Sequence, residues 1–137
     1  MSGLPSKPYL RLADAKAMLA AAEAHAIKNQ WAVAIIVVDE TGTPLASLRL
    51  DGCAPLGGQI AAEKARVAAL ACRESGFYET MINQGRTAFL SAPVSGLLEG
   101  GVPVIVDGHC IGAVGVSGVK SEQDAETARA GVAALAA

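Results

Sequence analysis

The sequence predicts an α+β fold in which helices pack on one antiparallel sheet. Three observations predict it: apolar runs occur in two pairs, each pair joined by a turn signal; helical periodicity fills the stretches before, between and after those pairs; and no linker or internal repeat divides the 137 residues. A chain of this length forms one domain, 1–137 with 1–10 as an N-terminal arm, and buries a core without metal or disulfide staples.

From Leu12 to about Asn29, Leu12, Ala15, Leu19, Ala22 and Ala26 recur at helical spacing among Lys16, Glu23 and Lys28, which predicts an amphipathic first helix. VAIIVVD, residues 33–39, is a β-branched run without polar interruption and suits a strand covered on both faces. After the turn ETGTP, Ala46, Leu48 and Leu50 alternate with Ser47 and Arg49, so the two runs form a hairpin. Between Leu56 and Glu74 the period returns to 3.6, with Ile60, Lys64, Val67 and Ala71 on a stripe beside Ala61, Ala65, Ala68 and Cys72. Gln59, Glu63, Arg66 and Arg73 form its solvated face. Residues 76–101 are broken by Gly76, Gly85, Pro93, Gly96, Gly100 and Gly101 into short helical turns and loops. VPVIV and HCIGAVGV flank Asp107-Gly108, the dipeptide of a two-residue type I′ hairpin. A last helix starts at about Ser121.

Composition narrows the function. An apolar fraction of 52% and a charged fraction of 18% exclude a disordered segment. With a net charge of -2 there is no basic field for a phosphate backbone, so nucleic acid is not an expected partner. The opening MSGLPSKPYL lacks the charged and apolar regions of a signal peptide, and no later segment has membrane-spanning length. The expectation is a cytoplasmic protein with no membrane partner. Cys53, Cys72 and Cys110 form no CxxC motif, and their odd number argues against a closed disulfide framework, which leaves them as small core residues. Ala, Gly and Val dominate while aromatics reach only 4%; backbones then approach closely over a thin core, and such a domain covers its apolar faces by self-association.

The stretch GVSGVKSEQD, residues 115–124, fits none of the known loop devices. Val119 stands where a phosphate loop needs the glycine before Lys-Ser and where a nucleophile elbow needs its last glycine. Glycines 112, 115 and 118 belong to a hairpin strand rather than to a dinucleotide fingerprint. Ser121 with Asp124 instead reads as a capping box, and the glycines serve close approach of another backbone or a flat ligand.

Lys64 is more informative, because a lysine on an apolar stripe must reach out to water, pair with a carboxylate or titrate low. Asp39, Asp51, Glu122 and Asp124 are its candidate partners. His25 follows Met18 and Ala22 at helical offsets, at the edge of the buried stripe, as a hydrogen-bonded rim residue or as a metal or tetrapyrrole ligand. His109 lies at a hairpin end, and neither histidine forms a zinc motif, so no metal site is expected. Arg49 and Asp51 share the polar face of the second strand, where they pair or line a pocket; the Arg49 fork suits a carboxylate or propionate.

Five stretches in order, LADAKAMLAAAEAHA, IIVVDETGTPLASLRLDGCAPLG, AAEKARVAA, GGVPVIVDG and IGAVGVSGVKSEQDAETARAG, resemble the GlcG/HbpS-type haem-binding family, which includes the C-terminal domain of some cobalamin adenosyltransferases. The resemblance runs from about Leu12 to Ala134. It implies a profilin-like antiparallel sheet flanked by helices, assembly into homo-oligomers, and binding of haem or a corrinoid, with His25 matching a histidine near the first helix. The expected function is therefore an oligomeric accessory or sensor protein holding a tetrapyrrole or another planar organic anion in a pocket partly formed between subunits. His25 is its axial ligand, and Lys64, Arg49 and Asp51 line the site. The alternative is a small cofactor-independent catabolic enzyme acting on a small organic acid. Lys64 is then the general base or anchor, with Glu122 or Asp51 as acid-base partner; family members sit in catabolic operons.

Overall fold

In the computed structural model, residues 2–136 are described; Met1 and Ala137, the ends of the expected 1–137 domain, lie outside the described residues. After an extended arm, the elements run α1 (Leu12–Lys28), β1 (Ala34–Asp39), β2 (Pro44–Arg49), α2 (Pro55–Ala71), α3 (Gly76–Asn83), a 3-10 turn (Thr87–Ser91), β3 (Gly101–Val106), β4 (His109–Ser117) and α4 (Ser121–Ala136). The four strands form one antiparallel sheet in the order β2-β1-β4-β3. Its two hairpins join through β1 and β4, from Ala34 opposite Ser117 to Asp39 opposite Gly112. This is the expected α+β fold, an antiparallel sheet flanked by helices.

Because side chains alternate along a strand, the uninterrupted apolar run of β1 feeds two cores. Ile35 and Val37 pack with Met18, Ala22 and Ala128 of the layer made by α1 and α4. Ala34, Ile36 and Val38 pack on the other face against Ala61, Ala65 and Ala68 of α2. The second layer is thin because two glycines let the helix backbone come down on the sheet: a Cβ on Gly101 would collide with the Lys64 carbonyl, and one on Gly115 with that of Ala61. Gly101 and Gly115 are cross-strand partners, so together they make a shallow seat for the α2 backbone. What approaches the glycines of the GVSGVKSEQD stretch is the chain itself: α2 at Gly115, and the Ala32 carbonyl at Gly118.

Asp107 and Gly108 both take positive φ, +52° and +78°, as the type I′ turn of the β3–β4 hairpin requires. Between Val104 and Ile105 the register shifts, since Val104 faces Gly112 while Ile105 faces Cys110. The bulged residue is Ile111, and it turns into the α1/α4 core. Gly112 faces the same layer, where a Cβ would meet Leu10. Two consecutive residues on one side reset the alternation and carry Cys110 to the α2 side, where its thiol meets the Ala69 carbonyl at 3.5 Å.

The start of α4 departs from the expected capping. Lys120 is the N-cap, since its carbonyl accepts from the amides of Gln123 and Asp124. The Gln123 side chain returns a bond to the Lys120 amide, and Asp124 reaches back to that of Val119. The cap thus lies one residue earlier than Ser121, whose place is the first turn, and only the return half of a capping box is made, by Gln123. In the irregular middle, α3 and the 3-10 turn are held together by Tyr78 stacked on Phe89, with ring centroids 4.8 Å apart.

Candidate functional site

Helix α2 brings Lys64 over the end of the sheet, at the β3 start and the β4 end, where it is 3% exposed. Its ammonium donates to the Val116 carbonyl and to Asp124 Oδ2, each at 3.1 Å. Asp124 Oδ1 accepts from the Val119 amide, so one carboxylate closes the cap of α4 and neutralises the amine. Burial pushes the Asp124 carboxyl above its usual range, against the pull of Lys64 and of the amides of Val119 and Gly118. Of the four carboxylates within the sequence-level choice, Asp124 is the partner. Asp39 is committed to the β1–β2 turn, where Oδ1 accepts from the Thr41 hydroxyl and from the amides of Thr41 and Thr43. Asp51 and Glu122 are exposed, and no hydrogen bond or ion pair joins either to Lys64 among the described residues.

His25 stands on the other side of the sheet. It lies in the last two turns of α1, half-buried, with Nε2 2.7 Å from Glu126 Oε2 of α4. The Trp31 ring meets it edge-on, centroids 5.8 Å apart. The antiparallel packing of α1 on α4 makes this pairing possible: Gly131 admits the α1 backbone near Met18 and Ala22, which brings Glu126 opposite His25 one to two turns away.

Arg49 lies on β2 opposite Ala34, whose side chain belongs to the α2 core. With Ser47, Pro55, Gly58, Gln59 and Ala61 it lines a recess of about 350 Å³ between the edge strand and the start of α2. Asp51 sits in the turn after β2 and does not pair with Arg49 among the described residues. The sheet therefore separates the candidates: Arg49 and Lys64 belong to the α2 face, His25 to the α1/α4 face. Strand alternation predicts that Arg49 and Leu48 point apart, but which helix covers which face is decided by the packing.

Two features escape reading at the sequence level. An apolar cleft of about 310 Å³ opens between α3 and residues 90–98, lined by Ile82, Leu90, Val94, Leu97 and Leu98. Its signal was compositional, since Phe77, Tyr78 and Phe89 of this segment are three of the chain's five aromatic residues. The cysteines are the second, and here the expectation of three small core residues needs correction. Cys53 and Cys110 are half-buried, and Cys72 is exposed because it follows α2 in a left-handed conformation (φ +57°) that turns the chain out of the core. Among the described residues no group of three or more His, Cys, Asp or Glu is placed to hold a metal ion, and no helix is long and apolar enough to cross a membrane.

The chain is similar to known proteins over nearly its whole length. The family described as haem degrading protein HbpS-like matches residues 10–133. Protein GlcG of Escherichia coli K12 is 53% identical over 114 residues, covering 83% of this chain and 85% of that protein. A double mutant of HbpS from Streptomyces reticuli superposes with a TM-score of 0.85 at 30% identity, over 97% of this chain and 91% of its own. PduOC, crystallised as a haem complex, gives a TM-score of 0.82 at 26% identity, over 93% of this chain and 95% of its own.

Proposed function

The chain belongs to the HbpS-like family, and from that premise we propose that it is a haem-binding protein, an accessory or sensor subunit whose site is completed between copies of the chain. Support comes from the HbpS and PduOC structures, the latter holding haem on the same fold.

The observation that carries the reading is the setting of His25. Its imidazole is half-buried on a helix, and its ring nitrogen faces a half-exposed carboxylate rather than the core. His25 would hold the iron of a bound haem, since Glu126, half-exposed, can swing into solvent and release Nε2. Haem supplies a flat dianionic disc with an iron that takes a neutral imidazole nitrogen. The chain's own residues hold that nitrogen in place, with Trp31 edge-on beside it. Within one chain the sheet keeps Arg49 away from His25, so an Arg49 that neutralises a propionate of the same haem belongs to a neighbouring subunit.

Titration of the purified protein with haemin, followed by absorption and native mass spectrometry, tests the proposal. A saturable Soret shift and a haem retained on an oligomer are expected. His25→Ala loses the shifted band, while Glu126→Ala, which frees the nitrogen, keeps it. A wild-type spectrum that matches free haemin sinks the haem reading. An unchanged His25→Ala spectrum removes His25 as the ligand, and haem on a monomer removes the shared site. A corrinoid, run in parallel, reports which tetrapyrrole the site prefers.

A further inference from the structure

We infer that Cys72 and Cys110 form a dithiol site that a hydroperoxide closes to an intrachain disulfide. The two residues are far apart in sequence, and the fold brings them together by two independent devices. The left-handed end of α2 turns Cys72 back along its own helix, so that its thiol donates to the Ala69 carbonyl at 3.7 Å. The Ile111 bulge carries Cys110 to the same side of the sheet, where its thiol donates to that same carbonyl at 3.5 Å. Both sulfurs thus contact one carbonyl oxygen, which places the two thiols in the same neighbourhood at the end of α2. Cys53 is excluded, since it contacts the Ser117 carbonyl at the opposite end of β4.

Exposure sets the order of events. Cys72 is open to solvent and Cys110 is half-buried. Burial, then the neighbouring Cys72, push the Cys110 thiol up to about 11, which leaves first attack to Cys72. The Cys72 thiolate attacks one oxygen of hydrogen peroxide, the O–O bond breaks, and the departing hydroxide takes up a proton to leave as water. Cys72 is now a sulfenic acid. Cys110 loses its proton and attacks that sulfur, the S–O bond breaks, and a second water departs. Two thiols and one peroxide thus give one disulfide and two waters, the sulfurs losing the two electrons that the peroxide gains. Because Cys72 is the C-cap just past the end of α2, it supplies the movement that brings the sulfurs to bonding distance. The closed bridge ties the α2 end to the β3–β4 hairpin and encloses α3 and the apolar cleft in a covalent loop.

The test is exposure of the full chain to hydrogen peroxide, alkylation of the remaining thiols, and mass spectrometry without and with reductant. Expected are a loss of about 2 Da, a linked Cys72–Cys110 peptide that reductant separates, and a fall from three alkylated thiols to one. Cys53→Ala forms the same link. In Cys110→Ala the peroxide leaves Cys72 as a sulfenic or higher acid, a gain of about 16 Da or more. Wild-type protein that gains oxygen without losing about 2 Da, a link that includes Cys53, or a link between chains overturns the inference. None of these readouts depends on haem, so the two proposals fail separately.

Discussion

At the scale of single residues, the buried pair of Lys64 and Asp124 shows how far a sequence-level constraint reaches. A lysine on an apolar helical stripe has three escapes, and the fold takes the carboxylate one, at 3.1 Å. Removing the amine leaves a desolvated carboxylate, so Lys64→Met is expected to lose about 3 kcal/mol at neutral pH by urea unfolding. The loss depends on pH with a definite sign. The Asp124 carboxyl already sits above its usual value in the fold, and without its cation it rises further. Protonation therefore favours the folded variant: the deficit is smallest below the ordinary carboxylate range and grows as the pH rises through the folded value. A deficit that stays constant from acid to neutral pH would assign Lys64 a packing role alone. That Lys64 needed a partner was legible in the sequence. Choosing Asp124 over Glu122 was not, because it depends on where α4 begins against β4.

Among elements, the contact of α2 with the sheet rests on glycine. A Cβ at Gly115 meets helix backbone, which moves only with the whole helix. Gly115→Ala is therefore expected to lose about 2 kcal/mol and to lower the melting temperature. Gly58 is the matched control: it lies within α2, and a Cβ there meets nothing within 4 Å. Gly58→Ala is expected to gain up to about 1 kcal/mol through helix propensity. Opposite signs from two chemically identical substitutions would show that contact, not glycine content, governs the layer; a destabilised Gly58→Ala would refute that. Both hairpins and the three long helices were readable from periodicity and turn chemistry. The Ile111 bulge was not, since one skipped residue leaves no mark in an unbroken apolar strand.

For the whole molecule, the sheet acts as a partition. His25 and Arg49 occupy its two faces, and one flat ligand reaches both only if two copies of the chain meet. Subunit mixing tests this. His25→Ala and Arg49→Ala are each expected to bind haemin poorly, while oligomers formed from a mixture of the two recover part of the wild-type Soret signal, because a mixed pair restores one intact site. No recovery, with both variants folded and exchanging subunits, would place the two residues in separate sites.

The sequence by itself determined the fold class, the hairpins, the α2 stripe and the need of Lys64 for a counter-charge, because periodicity, turn chemistry and burial of charge are local properties of neighbouring residues. Tertiary structure alone decided that Asp124 answers Lys64, that Glu126 holds His25, that Arg49 lies across the sheet, and that Cys72 and Cys110 share the Ala69 carbonyl. Each of these joins residues distant in the chain, and their meeting depends on helix registers and on a single bulge, which are set when the layers pack.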